Sequence, residues 1–128
     1  MAGTNEEVIL AVFQAWGEGL EAAAAATRAH FADDCVWEQT AIPTTTGPEE
    51  AAQLMLGMEG MGFSAIEVEC RNVVSSGDVV CTERVDHIIG PDGSRVASFP
   101  VVGVTEFRDG KISSWREYFD SANLAQLA

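Results

Sequence analysis

The sequence predicts an α+β fold, with helices segregated on one face of a curved, mainly antiparallel sheet that can enclose a pocket. Two observations carry this prediction. Apolar residues recur at helical spacing in the N-terminal half, and β-branched runs separated by turn dipeptides fill the remainder. The length of 128 residues favours a single domain over residues 1–128. A chain of this length buries enough surface to be stable without a disulfide or a structural metal.

The first predicted element is an amphipathic helix that ends near Gly17. Thr4 and Glu7 stand at the spacing of a capping box, in which a hydroxyl and a carboxylate accept hydrogen bonds from the free amides of the first turn. The residues that follow predict one apolar face. Its members are Val8, Ile9, Val12, Phe13 and Trp16.

Two further helices and one short strand are predicted next. The alanine-rich run over residues 21–31 has high helix propensity, and residues 35–37 are typical of a short strand. Residues 42–47 are expected to form a loop. Pro48 suits the first turn of a third helix, which is expected to run to about Met58 and has two glutamates near its positive end.

The remainder of the chain predicts four long strands joined by tight turns, which together form a β-meander. Asp92-Gly93 and Asp109-Gly110 are hairpin signals, because glycine readily adopts the positive φ that such turns require. The strand-forming runs are IEVECRNVV, VVCTERVDHII, RVASFPVVGVTEF and ISSWREYF.

The composition excludes several classes of protein. Seven Lys and Arg against twenty Asp and Glu give a net charge of −13, which would repel nucleic acids and anionic membranes. We expect a soluble cytoplasmic protein, because no apolar run approaches the roughly 20 residues that span a bilayer and the N-terminus lacks a signal-peptide pattern. Cys35, Cys70 and Cys81 lack metal-ligand spacing, so we expect them to be small buried side chains in a reducing compartment.

The first candidate for chemistry is a pair of charged residues on the second predicted strand. Side chains alternate along a strand, so Thr82, Arg84, Asp86 and Ile88 share one face while His87 lies on the other. Same-face neighbours lie roughly 6 to 7 Å apart, which lets the Arg84 guanidinium bind the Asp86 carboxylate through two donors. Apolar residues on both sides of the segment favour burial of this pair, whereas an exposed ion pair would contribute little.

The last strand offers a second carboxylate. Glu117 shares a face with Trp115 and Phe119 and can therefore point into the interior. Burial there would disfavour the ionised form and let the side chain hold a proton near neutral pH. His87 points away from Asp86, and we expect both it and His30 to be structural or surface residues.

Two stretches of the chain resemble a known family. The sequence from CTERVDHI through GVTEFRDGKISSWREYFD, together with FADDCVWEQ, resembles the limonene-1,2-epoxide hydrolases and their SnoaL-like relatives. The similarity covers most of the chain. It implies the cone-shaped α+β fold of the nuclear transport factor 2-like superfamily, with three N-terminal helices on a curved sheet around a pocket. It also implies a homodimer formed through the strands.

The resemblance implies a set of catalytic residues. The family has an Asp-Arg-Asp arrangement deep in its pocket, whose strand Arg and base Asp correspond to Arg84 and Asp86. The second Asp corresponds to Glu117, which is longer by one methylene. The water-holding Tyr and Asn of the family correspond to Trp37 and Gln39. Gln39 can still donate and accept hydrogen bonds, but an indole only donates.

These residues predict an epoxide hydrolase that needs no metal or other cofactor. Asp86, held ionised by Arg84, would take a proton from a water oriented by Gln39, while a protonated Glu117 donates to the epoxide oxygen and a diol forms. Since Arg84 bridges the two acids, their titrations are coupled, and the assignment of the proton to Glu117 is a hypothesis.

The expected substrate is an apolar small molecule, because methionine and aromatic side chains line the expected pocket. Two alternatives stay open. One is a SnoaL-like polyketide cyclase or an isomerase, including an epoxide-opening cyclase. The other is a noncatalytic small-molecule-binding protein, in which the polar residues only stabilise the fold. The expected pocket residues are Leu54, Met55, Met58, Met61, Phe63, Phe99, Val101 and Trp115.

Overall fold

The computed structural model describes residues 4–127, and its first helix is the one predicted. Helix α1 spans Asn5–Glu18. The Thr4 hydroxyl accepts a hydrogen bond from the Glu7 amide at 3.2 Å, so the hydroxyl half of the predicted capping box is confirmed. The predicted apolar face is turned inward, and its buried members are Ile9, Val12, Phe13 and Trp16.

The second helix ends where predicted, but the strand after it is longer than expected. Helix α2 spans Leu20–His30, and strand β1 spans Phe31–Gln39 rather than starting at Cys35. Asp33 and Asp34, which stand between the predicted helix and the predicted strand, lie within β1 at a register shift between Phe31 and Val36. The extra residues are in a strand because β1 pairs with the last strand of the chain, a partner that the local sequence does not reveal.

The loop predicted over residues 42–47 is wrong, because most of it forms strand β2. This strand spans Ile42–Thr46 and runs antiparallel to β1, with Thr45 opposite Trp37. It is the edge of the sheet, where a proline such as Pro43 is tolerated. Its β-branched threonines also favour an extended backbone.

The third helix and the four long strands are present as predicted. Helix α3 spans Pro48–Gly57, and a short 3₁₀ segment, Met58–Met61, continues it. No helix in the described part of the chain is both long and apolar enough to cross a membrane. The long strands are β3 (Ala65–Ser76), β4 (Val79–Ile89), β5 (Arg95–Arg108) and β6 (Lys111–Tyr118).

The strands form one curved, unclosed sheet in the order β2-β1-β6-β5-β4-β3. Strands β3 to β6 are the predicted antiparallel meander, and β1 joins it parallel to β6, so that the sheet is mixed. Asp109 and Gly110 turn β5 into β6 with φ values of 52° and 79°, as the hairpin signal predicted. The α+β class with helices packed on a curved sheet is thus confirmed.

The last element that the structure describes is a second 3₁₀ segment, Ser121–Leu127, which we call the C-terminal segment. It lies beside β5, where the Gln126 amide accepts a hydrogen bond from Ser98 N at 3.1 Å and donates one to Ser98 O at 3.0 Å. These bonds use a stretch of β5 beyond the residues that pair with β6. The C-terminal segment can therefore serve as a wall for the space beneath it.

Candidate active site

A cavity of about 620 Å³ lies between α3, the inner face of the sheet and the C-terminal segment. Its wall is mainly apolar. Leu54, Met55 and Met58 line it from the helical side, and Leu124 and Leu127 from the C-terminal segment. A cavity of this size and character is typical of small-molecule sites. Polar side chains from three different strands also reach this cavity, namely Gln39, Asp86 and Glu117.

Strand β4 places Arg84 and Asp86 on the inner face of the sheet. The guanidinium binds the carboxylate through two hydrogen bonds, from Nε to Oδ1 at 2.9 Å and from Nη2 to Oδ2 at 3.0 Å. The side chain of Arg84 has no exposed surface, whereas that of Asp86 is 11% exposed. Arg84 is therefore a buried cation, and the Asp86 carboxyl reaches the edge of the cavity.

Strand β6 brings Glu117 to the same guanidinium. The alternation of β6 turns Trp115 and Glu117 inward, and Glu117 is 4% exposed. Its Oε2 accepts a hydrogen bond from Arg84 Nη2, and its Oε1 accepts one from Trp37 Nε1 at 3.0 Å. Arg84 thus connects the carboxyl groups of Asp86 and Glu117, which lie 31 positions apart in the sequence.

Aromatic rings enclose the rest of the guanidinium. Its central carbon lies 4.7 Å from the ring centroid of Phe13, 5.6 Å from that of Trp16 and 6.0 Å from that of Trp115. Nη1 donates to the Thr82 hydroxyl at 3.3 Å. Cation–π contact and the hydrogen bonds together compensate the loss of water around the charge and fix its position.

The charges of this cluster limit its protonation states. If both carboxyls were ionised, they and Arg84 would carry a net charge of −1 in a region from which water is almost excluded. One proton on either carboxyl would make the cluster neutral. A site with one acid and one base, held by a cation, can move a proton in each direction during one reaction.

Comparison with known proteins places this architecture in a family. The model of the limonene-1,2-epoxide hydrolase catalytic domain matches residues 7–127. The chain belongs to that family. The expectation drawn from the ERVD and WREYFD segments is thereby confirmed.

Individual relatives agree with this membership. Epoxide hydrolase EphG of Mycobacterium tuberculosis is 42% identical over 94 residues, which make up 72% of this chain and 59% of that relative. The match therefore spans less than two thirds of EphG. The structure of an LEH-like epoxide hydrolase from M. tuberculosis has a TM-score of 0.77 and 29% identity, over 94% of this chain and 86% of that one. An NTF2-like protein from Cytophaga hutchinsonii has a TM-score of 0.76 at 16% identity, over 98% and 97% of the chains, and shows the same fold.

The structure brings together the residues that the family resemblance selected. Arg84, Asp86 and Glu117 meet at one end of the cavity, and Gln39 lines the cavity beside Glu117, its partner in the parallel β1–β6 pair. Gln39 Nε2 is buried and has no hydrogen-bond partner among residues 4–127. Trp37 lies at the cavity too, but its indole N–H is directed at the Glu117 carboxylate.

Seven of the eight expected pocket residues line the cavity, and one does not. Trp115 is not a lining residue, because it is fully buried in the core and stacked on Trp16 with centroids 5.5 Å apart. The other seven do line the cavity. They are Leu54, Met55, Met58, Met61, Phe63, Phe99 and Val101.

Sequence reasoning missed the residues that enclose Arg84 and part of the cavity wall. Phe13 and Trp16 belong to the apolar face of α1, a pattern that predicts core and gives no sign of contact with a cation. Thr82 was placed on the correct face but given no role. The C-terminal segment carries no periodic signal long enough to predict a wall.

The histidines and cysteines lie outside this cluster. His87 is on the outer face, where Nδ1 shares a hydrogen bond with Ser98 Oγ at 2.7 Å and Nε2 lies 3.3 Å from Glu69 Oε1. Burial, with a smaller effect of Lys111, lowers the pKa of His30. Among the described residues, no three His, Cys, Asp or Glu side chains are grouped so as to hold a metal ion.

All three cysteines were expected to be buried, but only one of them is fully buried. Cys35 has no exposed surface, and burial raises the pKa of its thiol to about 12. Cys70 and Cys81 are half-buried, which corrects the expectation for these two. Cys70 lies on the edge strand β3, and Cys81 lies on the outer face of β4. Packing is less complete at both places.

Proposed function

We propose that this protein is an epoxide hydrolase that adds water to an apolar epoxide and forms a vicinal diol without a cofactor. The observation that carries the proposal is the pair of carboxyls, Asp86 and Glu117, held by the buried guanidinium of Arg84 at the polar end of an apolar cavity. Family membership supports the same chemistry.

Opening an epoxide by water needs one acid and one base. The water oxygen forms a bond to a ring carbon while the bond from that carbon to the ring oxygen breaks. The base takes a proton from the water, and the acid gives a proton to the ring oxygen, which becomes the second hydroxyl of the diol. Each of these proton transfers contributes about 10²- to 10⁴-fold to the rate. The singly protonated pair of Asp86 and Glu117 supplies both groups.

The strand order favours the reverse of the roles assigned from the sequence. Gln39, the residue assigned to the water, lies next to Glu117 across the β1–β6 pair, whereas Asp86 lies on β4, two strands beyond β6. A water bound by the free Gln39 amide is therefore closer to Glu117. We accordingly assign the base to Glu117 and the acid to Asp86, with the shared proton on Asp86 before the reaction.

Trp37 then acts as a positioning residue rather than as a ligand of the water. Its N–H donates to Glu117 Oε1, and an indole has no acceptor with which to orient a water proton. The Glu117 side chain is longer than the Asp of the family, and this hydrogen bond fixes the conformation of the added methylene. Trp37 is 1% exposed, so it is itself held firmly in place.

The test is diol formation from a panel of cyclic and linear epoxides. We expect the wild-type protein to produce diols from apolar members of the panel. Both Asp86→Asn and Glu117→Gln should lower kcat by about 10²- to 10⁴-fold. Glu83→Gln is the matched control, because Glu83 lies on the same strand as Asp86 but is exposed on the outer face. Full activity in either site variant would contradict the assignment of these residues to catalysis.

A second candidate is an epoxide-opening cyclase, in which a hydroxyl of the substrate attacks instead of water. One observation favours it: Trp37 points at Glu117, which leaves Gln39 as the residue assigned to hold the water. The same acid and base would serve this reaction. A cyclic ether as product, isomeric with the substrate, would distinguish it from hydrolysis.

We also propose that two copies associate through the outer face of the sheet. Val74, Val102 and Tyr118 are 63%, 46% and 55% exposed on this face, and the last two are neighbours across β5 and β6. Contiguous exposed apolar groups such as Val102 and Tyr118 mark association surfaces. Sedimentation velocity should show a dimer that Val102→Glu dissociates and that Leu10→Glu, on helix α1, does not. A wild-type monomer at every concentration would contradict the proposal.

A further inference from the structure

Gly103 occupies an unusual place for a glycine, the middle of a long strand beside the polar cluster. It lies in β5 opposite Thr82 of β4 and Glu117 of β6, with its backbone outside the positive-φ region that favours glycine. Glycine weakens the interior of a strand, because it has no side chain to pack and because ordering its backbone costs more conformational entropy than ordering any other residue. Glycine at this position therefore leaves room for a neighbouring group and is not required by the backbone conformation.

The space is filled by the guanidinium of Arg84. A Cβ atom at position 103 would lie 2.6 Å from Arg84 Nη1, 3.0 Å from Thr82 Oγ1 and 3.2 Å from Trp115 Nε1. Real Cβ atoms do not approach another heavy atom as closely as 2.6 Å. An exposed arginine would relieve such a contact by moving its guanidinium, because its side chain is flexible.

Arg84 has little freedom to move in this way. Two of its nitrogens bind Asp86, Nη2 also binds Glu117, and Nη1 binds Thr82. Aromatic rings from α1 and β6 enclose the same group, and its side chain has no exposed surface. Any shift of Nη1 away from position 103 would therefore disturb the hydrogen bonds to both acids.

We propose that Gly103 is a positioning residue for the reaction, because its missing side chain provides the slot that holds the Arg84 guanidinium between Asp86 and Glu117. The catalytic part of this inference rests on the hydrolase function proposed above. A side chain at position 103 displaces the cation and so disturbs its two hydrogen bonds to Asp86 and its one to Glu117. A displacement of about 1 Å at such a site costs on the order of 100-fold in rate.

The first test is the kinetics of Gly103→Ala. We expect kcat to fall by about 100-fold with KM changed by less than about 3-fold, since position 103 touches the cation and is not a lining residue of the cavity. The pH profile of kcat should also shift, because the cation that couples the two acids has moved. Gly60→Ala is the control, since a Cβ there meets no atom within 4 Å. Activity of Gly103→Ala within about 3-fold of the wild type would overturn the proposal.

The second test separates the slot from the hydrolase function. Arg84→Lys keeps the charge but removes the guanidinium arm that carries Nη1. Gly103→Ala should lower Tm by about 5 °C or more in the wild-type background, whereas the same change should have no effect or raise Tm in the Arg84→Lys background. This result would stand even if no epoxide is hydrolysed. An equal loss of Tm in both backgrounds, or a double variant that does not fold while Arg84→Lys does, would overturn the proposal.

Discussion

Arg84 is the residue on which the other functional side chains depend. Its charge is fully buried, and its donors meet two carboxyls, one hydroxyl and the faces of aromatic rings. Breaking a buried ion pair by removing one partner costs about 3–5 kcal/mol, because the remaining charge is left uncompensated. Such a cluster is costly as a device for stability alone, since apolar residues can replace buried ion pairs without loss. Its place at the end of a cavity supports the catalytic role proposed for it.

The roles of the two acids can be separated with a nucleophile that needs no base. Azide attacks an epoxide carbon without giving up a proton, so it should restore turnover to a variant that lacks the base and not to one that lacks the acid. We expect azide to restore activity to Glu117→Gln, with an azido alcohol as product. The measurement is the initial rate against azide concentration, at an ionic strength high enough to screen the net charge of −13.

Asp86→Asn is the matched comparison for the azide experiment. It should gain little from azide, because the ring oxygen would still lack its proton donor. Rescue of Asp86→Asn alone would show that the base is Asp86, as the sequence analysis assigned it. The position of Gln39 beside Glu117 would then have to serve another purpose.

At the scale of elements, the sequence pattern predicted a segment correctly wherever its partners in the sheet are close to it in the sequence. The alternation of β4 and β6 correctly placed Arg84, Asp86 and Glu117 on inner faces, and the Asp109-Gly110 signal marked a real hairpin. It failed for β2 and for the start of β1, since both depend on strand pairing. It also could not show that Trp115 lies behind the cavity wall, because a strand face does not reveal which of its residues another element covers.

Helices α2 and α3 are joined by an ion pair that gives a pH-dependent contribution to stability. Arg28 Nε donates to Glu49 Oε2 at 2.9 Å and Gln53 Nε2 donates to Glu49 Oε1 at 3.0 Å. The hydrogen bond from Arg28, and then that from Gln53, lowers the pKa of Glu49 from 4.5 to about 2. A lowered pKa means that the folded state favours the ionised form, so the contribution is present above pH 4.5 and is lost as the pH falls toward 2.

Glu49→Gln should therefore reduce the free energy of unfolding at pH 7, by a small amount because the pair is exposed. The difference from the wild type should shrink as the pH falls from about 4.5 toward 2. Urea denaturation at a series of pH values measures it, with exposed Glu59→Gln as the control. A difference that stays constant over this range would show that the ion pair is not its source.

At the scale of the whole molecule, the fold separates an acidic exterior from an apolar interior. The net charge of −13 lies on a chain whose cavity is lined mainly by methionine, leucine and aromatic side chains. Gln39, Asp86 and Glu117 reach the cavity from β1, β4 and β6, and a mainly apolar wall comes from α3 and the C-terminal segment. No single stretch of sequence contains the site, so its convergence depends on the curvature and strand order of the sheet. The arrangement suits the neutral, apolar substrate of the proposed function.

The most direct test of this account is a single turnover of an accepted epoxide in ¹⁸O-labelled water, with the protein in excess over the substrate. If Glu117 activates a water for direct attack, the diol from that first turnover carries one ¹⁸O atom, and mass spectrometry of the product will show it. The contradicting result is a first-turnover diol without ¹⁸O, because its new oxygen would then come from a carboxylate of the protein through an ester intermediate.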